Sequence, residues 1–175
     1  MPEADLAPAL IPLEAVDPAM TEALLDRAFG TDRHASTAYK VRKGVEWLPA
    51  LSFAALDEQQ MLVATIQGWP VALTDPAGRA HPLVMVGPVA VLPERQGEGF
   101  GRALMAAQRE ALGEGEQALP QVLIGDEPYY RRFGYTAAWT GGWTLPGPYD
   151  PARLLVRAAN PAVLPRKGTL GPWRG

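Results

Sequence analysis

Cysteine is absent from the 175 residues, which excludes disulfides, thiolate metal sites and a cysteine nucleophile. Histidine is nearly as scarce. His34 and His81 are isolated, with no neighbours at ligand spacing, so no metal site is expected. No apolar run approaches the roughly 18 residues of a membrane-spanning helix. The N-terminus, acidic at Glu3 and Asp5 and without a basic stretch, does not read as a signal peptide, and a cytoplasmic protein without a membrane partner is expected. A positive excess is missing too: 16 basic and 19 acidic residues leave a net charge of −3. That balance gives no electrostatic reason to expect nucleic acid, and a small neutral or basic partner is easier to accommodate. No serine lies in a nucleophile-elbow context, so a covalent enzyme intermediate is not expected.

What is present is an ordinary globular composition, 47% apolar and 20% charged. A chain of this length reads as one domain spanning residues 1 to 175, able to bury about 70% of its unfolded surface. No internal repeat and no linker divides it.

The most informative stretch runs from residue 91 to residue 112. An apolar run, Leu83 to Leu92, stops at Pro93; Gly97, Gly99 and Gly101 follow at alternate positions; a helix-forming stretch then runs to Gly113. Strand, glycine-rich loop and helix in that order form an anion site. Glycine lets backbone approach a ligand, and the first amides of a helix, unpartnered within it, sit at the positive end of its dipole. A P-loop needs Gly-Lys-Ser/Thr, but Arg102 and Ala103 follow Gly101. The dinucleotide pattern G-x-G-x-x-G places its third glycine where Arg102 stands. The pattern Q/R-x-x-G-x-G/A is met by Gln96, Gly99 and Gly101. An ordinary strand-to-helix connection also carries glycines, so the loop has to be read in context.

The context is mixed. Ala9 to Leu13 suits an edge strand, since Pro12 removes a ladder donor. Asp17 and Pro18 start a helix that Gly30 stops. A second helix is expected from Asp32 to Gly44, its charges forming a solvated face. Leu51 to Leu56 and Met61 to Trp69 form a hairpin, and Asp75 to Gly78 is the next turn. Gly87-Pro88 should break the strand that holds it. In the helix after the loop, Ala103, Leu104, Ala107, Ala111 and Leu112 form the apolar stripe, with Arg102, Gln108, Arg109 and Glu110 around it. Gln121 to Ile124 completes a βαβ unit and should lie parallel to the strand at 83 to 92. Tyr129 to Gly134 is one helical stretch, Thr136 to Thr144 and Leu154 to Arg157 are strand-like, and the tail is rich in proline.

The segment Gly-Pro-Val-Ala-Val-Leu-Pro-Glu-Arg-Gln-Gly-Glu-Gly-Phe-Gly (87 to 101), followed by Gly-Asp-Glu-Pro-Tyr-Tyr-Arg-Arg-Phe-Gly-Tyr (125 to 135), resembles the GCN5-related N-acetyltransferases (GNAT), in particular the YhbS-type bacterial members. The resemblance covers most of the chain from about residue 9. It implies the GNAT fold: an α/β protein with a mostly antiparallel sheet, flanked by helices, whose two parallel central strands splay to admit coenzyme A. It also implies acetyl-CoA as co-substrate. The backbone of Val89, Ala90 and Val91 would bond the pantetheine amides, and Gln96, Gly97, Glu98, Gly99, Phe100, Gly101 and Arg102 would wrap the pyrophosphate. Glu98 and Phe100 depart from the basic and small aliphatic residues usual there. Glu98 is expected to point away from the phosphates, with Arg95 or Arg102 compensating. Tyr130 matches the tyrosine that protonates the departing thiolate in Y-x-x-x-G-F/Y, whereas Tyr129 and Phe133 read as core aromatics.

No carboxylate lies on the strand 83 to 92, so a general base must come from Asp126, Glu46, His34, His81 or water. The acceptor, a small-molecule or peptide amine, would be bound by residues 31 to 50, the 67 to 80 connection and the loops after 125. Trp47, Trp69, Trp139 and Trp143 are candidate pocket walls, and a homodimer is compatible with the pattern. The expected activity is direct acetyl transfer from acetyl-CoA to a primary amine. The alternatives are a non-catalytic acyl-CoA-binding module and a nucleotide-binding protein.

Overall fold

The computed structural model describes residues 8–115 and 117–174; the expectation resting on Glu3 and Asp5 lies outside them. Strand β1 (Ala9–Pro12) is followed by helix α1 (Pro18–Phe29), then by a 3-10 turn (Arg33–Ala35) and the short helix α2 (Thr37–Val41). Strands β2 (Phe53–Leu56), β3 (Leu62–Thr74) and β4 (Ala80–Val91) lead to helix α3 (Phe100–Leu112) and strand β5 (Gln121–Ile124). The chain ends with α4 (Glu127–Tyr130), β6 (Gly142–Thr144), β7 (Leu154–Arg157) and β8 (Lys167–Pro172).

The main path through the sheet is β1-β2-β3-β4-β5-β7, with β8 on β3 and β6 on β8. β1 to β4 are antiparallel neighbours. β4 and β5 are parallel, as expected for a βαβ unit, and they pair only at Val84 with Gln121 and Met85 with Val122. Beyond Met85 the two strands part. Helices cover both faces. Leu24 and Leu25 of α1 pack with Ala54, Leu62 and Ala90, while Phe100, Leu104 and Met105 of α3 pack with Ala55, Ile66 and Val86. Ala54 and Ala55 thus face opposite helices, as the two-residue period of a strand requires.

Local signals account for α1. Asp17 accepts a hydrogen bond from the Ala19 amide at 2.9 Å, Pro18 occupies the first turn, and Gly30 closes the helix at φ 90°. The hairpin at 51 to 69 forms, but β3 continues through Pro70 to Thr74, because its second half pairs with β4 on one edge and β8 on the other. The expected helix from Asp32 to Gly44 is divided instead at Ser36, whose ψ of 155° is extended. Its charges form a solvated face only in part: His34, Lys40 and Lys43 are exposed, but the two arginines are not. Arg33 is 7% and Arg42 5% exposed, since Arg33 reaches back to Glu22 and Asp26 of α1 and Arg42 lies against Tyr39 and Trp69.

Three other expectations change. Gln108, placed beside the apolar stripe, is 2% exposed because its amide donates to the carbonyls of Leu51 at 2.8 Å and Gln67 at 3.3 Å. Of Thr136 to Thr144 only Gly142–Thr144 is strand, Thr136 making one isolated bridge to Val156. The proline-rich tail contains β8, which occupies the β3 edge beyond the end of β2. Among the described residues no helix is long and apolar enough to cross a membrane.

Candidate active site

The break predicted at Gly87-Pro88 is there. The β3–β4 register shifts between Ile66 and Gly68, which pair with Val89 and Val86, and Gly87 takes φ 124°. Its carbonyl, turned out of the ladder, accepts from Trp69 Nε1 at 2.7 Å and from Arg42 at 3.3 Å. Val89, Ala90 and Val91 resume pairing with β3 on one edge. Their other edge faces the gap left by the departing β5 and finds no strand partner among the described residues. An open strand edge accepts an extended amide-containing ligand as an added strand.

That edge leads into the loop. Gly97 at φ 84° and Gly99 at φ 93° hold the left-handed region, which a Cβ resists, and Gly99 is the N-cap of α3. Gly101 is helical, so it does not need positive φ. A Cβ there would lie 3.7 Å from Val89, 3.8 Å from Val91 and 3.9 Å from the Tyr129 hydroxyl. The amide of Ala103 is accepted by Gly99 O at 3.0 Å; those of Gly97 to Arg102 have no acceptor among the described residues. Several free amides at the start of a 13-residue helix constitute an anion-binding end.

Glu98 is paired with Arg95, one of the two arginines expected to compensate it. Arg95 donates to it at 2.8 Å and to Asp57 at 2.9 Å, and the Arg95 guanidinium lies 5.2 Å from the centre of the Phe100 ring. Asp57 also accepts the amides of Gln59 and Met61 at 2.9 Å each. The Met61 bond is the largest cause holding the Asp57 carboxyl below the usual range.

Two adjoining cavities meet along β4. One, about 370 Å³, is lined by the loop, Val89, Val91, Tyr129 and Tyr130. The other, about 770 Å³, extends past Gly87 and Pro88 to α2 and Asp126. Phe29, Val89, Gln96, Tyr129 and Tyr130 line both. Tyr130 packs its ring on Gly125, where a Cβ would stand 2.5 Å from Tyr130 Cε2. Burial pushes its phenol up to about 12, with Tyr129 and Asp126 acting in the same direction. Tyr129, read as a core aromatic, is 39% exposed. Its ring meets Tyr130 and Phe133 edge-on, but its hydroxyl lies over the start of α3.

Asp126 is the general-base candidate that lines the larger cavity; it is exposed and paired with Arg153 at 3.3 Å. His81 is bound to Asp75 at the β3–β4 turn at 2.9 Å, His34 meets the Tyr39 ring at a tilt of 56°, and Glu46 faces solvent. None of the four tryptophans lines either cavity. Trp143 is a core residue whose indole donates to Pro165 O at 2.9 Å, Trp47 packs beneath α1, Trp139 is exposed, and Trp69 stands behind Arg42. Arg42 itself lines the cavity, a residue missed because its burial depends on contacts far apart in sequence.

Solved structures similar to this chain include acetyltransferases. The GNAT family N-acetyltransferase YhbS from Escherichia coli, in complex with CoA, is 22% identical over 95% of this chain and 89% of that chain, with a TM-score of 0.66. A GNAT family acetyltransferase from Brucella melitensis, in complex with acetyl-CoA, is 25% identical over 95% and 96%, with a TM-score of 0.59. A histone acetyltransferase HPA2 and related acetyltransferase from Corynebacterium glutamicum is 16% identical over 87% and 97%, with a TM-score of 0.56. No curated protein matches the sequence. A family model described as an acetyltransferase (GNAT) domain matches residues 17–138, and with the open β4 edge and the loop inside that span, the chain belongs to the GNAT family of N-acetyltransferases.

Proposed function

We propose that residues 1 to 175 act as one acetyltransferase domain that moves an acetyl group from acetyl-CoA to the primary amine of a small molecule or peptide by direct transfer. The carrying observation is the run of free amides from Gly97 to Arg102 beside the unpaired edge of Val89 to Val91. It fits a pyrophosphate joined to an amide-bearing arm. Acetyl-CoA supplies the activated thioester. In this reading the amine nitrogen bonds to the acetyl carbon, the carbon–sulfur bond breaks, and the Tyr130 hydroxyl gives its proton to the leaving sulfur. A phenol held neutral by burial keeps that proton at physiological pH. The proton released from the attacking nitrogen passes to Asp126 or to water, and Tyr130 regains its own from solvent once the thiol has formed.

The test is to measure thermal stability with coenzyme A, ATP and NAD, then thiol release from acetyl-CoA with a panel of amines. Stabilisation by coenzyme A alone, with turnover of at least one amine, supports the reading. Binding without turnover of any amine would indicate an acyl-CoA-binding module, and stabilisation by ATP or NAD a nucleotide site.

A further inference from the structure

Three arginines line the larger cavity: Arg33, Arg42 and Arg153. Two are held by carboxylates. Arg33 is paired with Glu22 and Asp26, and Arg153 with Asp126 at 3.3 Å. Arg42, 5% exposed, is paired with no carboxylate among the described residues. Its guanidinium lies 4.0 Å from the Tyr39 ring centre and 4.2 Å from that of Trp69; among the described residues it donates to Gly87 O at 3.3 Å, and the Tyr39 hydroxyl and the more distant Glu22 favour its charge without forming an ion pair with it.

A buried cation without a counter-charge is costly, and proteins ordinarily pair or neutralise such a group. Burial draws Arg42 down to about 10, so it stays cationic at neutral pH. Contact with two aromatic rings uses none of the guanidinium N–H donors, so those not given to Gly87 O remain for a ligand, and their planar fork matches a carboxylate. Arg42 stands at the Gly87 end of the cavity, away from the loop that receives the phosphates, so the two anion sites are separate. From this geometry we infer that the acceptor carries a carboxylate as well as its amine, as an amino acid does, and that Arg42 binds that carboxylate while the amine faces the thioester. A volume of about 770 Å³ is within the range of small-molecule sites. The net charge of −3 argues for a neutral or basic partner only until the local charge is known.

This inference rests on the proposed transferase reading, and its test keeps the two apart. Thiol release from acetyl-CoA is measured with L-amino acids, β-alanine and γ-aminobutyrate, each beside its own amide, and coenzyme A binding is measured separately by calorimetry. The wild type should favour acids over amides by at least about tenfold in kcat/KM, and Arg42→Gln should raise KM for the acids by about 10²-fold, a much larger loss than on the amides, while coenzyme A affinity stays unchanged. Arg42→Lys keeps the charge without the fork and should fall between, which covers the case in which the glutamine variant folds poorly. Equal use of acids and amides, an equal loss on both from Arg42→Gln, or no turnover of either set with coenzyme A still bound would overturn the inference and leave the cofactor assignment standing. Failure to bind coenzyme A would overturn both.

Discussion

Arg95 donates one guanidinium N–H to Glu98 at 2.8 Å and another to Asp57 at 2.9 Å, so the acid in the glycine-rich loop is neutralised by a cation that the β2–β3 turn anchors. Glu98→Gln weakens one hold on Arg95 and removes a negative charge beside the proposed pyrophosphate site. Coenzyme A affinity should rise by a few-fold at low ionic strength, and the gain should fade as salt screens it. Arg95→Gln leaves both carboxylates unpaired, so calorimetry should show coenzyme A binding weakened by about tenfold. Affinity unchanged in both variants would place the phosphates away from this pair.

The glycines of the loop should separate by cause. Gly99→Val puts a β-branched residue at φ 93° and should abolish stabilisation by coenzyme A. Gly101→Ala should be tolerated, since its Cβ would meet neighbours at 3.7 to 3.9 Å. Gly101→Val should lose binding by filling the space beneath the Tyr129 hydroxyl. Equal behaviour of Gly99→Val and Gly101→Ala in a thermal-shift assay would refute the distinction.

Tyr130→Phe should preserve the Kd for acetyl-CoA and lower kcat by about 10² to 10⁴, the usual range for a general acid. Gly125→Ala should reproduce part of that loss, since the added methyl occupies the place of the Tyr130 ring. Tyr129→Phe should act on coenzyme A affinity rather than on kcat. The folded-state phenol of Tyr130 titrates at about 12, above the unfolded value of about 10. Its contribution to stability is therefore complete below about pH 10 and is lost as pH rises toward 12. A pH–rate profile with an alkaline limb near 10 that disappears in Tyr130→Phe would contradict this.

Gln108→Leu should destabilise the fold by about 1 to 3 kcal/mol, because the carbonyls of Leu51 and Gln67 lose their buried donor. At about 2 to 4 °C per kcal/mol for a chain of this size, the melting temperature should drop by several degrees. Coenzyme A binding at low temperature should be intact. A melting temperature equal to that of the wild type would mean that the two carbonyls find other donors.

Where the signal is local, residues alone are enough. Helix α1 follows from Asp17, Pro18 and Gly30; the start of α3 and its free amides follow from Gly97 and Gly99; the break in β4 follows from Gly87-Pro88; and the parallel pairing of β4 with β5 follows from the handedness and length of a βαβ unit. Each depends on backbone φ, a missing donor or a spacing carried by neighbouring residues. What tertiary structure alone decided depends on partners far apart in sequence. Strand β8, rich in glycine and proline, forms because β3 outlasts β2 and leaves an edge to pair. Gln108 is buried because the carbonyls of Leu51 and Gln67 meet at its position. Arg42, in a segment that reads as a solvated basic face, lines a cavity because Trp69 and Gly87 come to it from strands β3 and β4. A charge pattern along the chain records which residues are ionic, but whether a cation meets water, a carboxylate or an empty cavity wall is settled only when those distant elements pack.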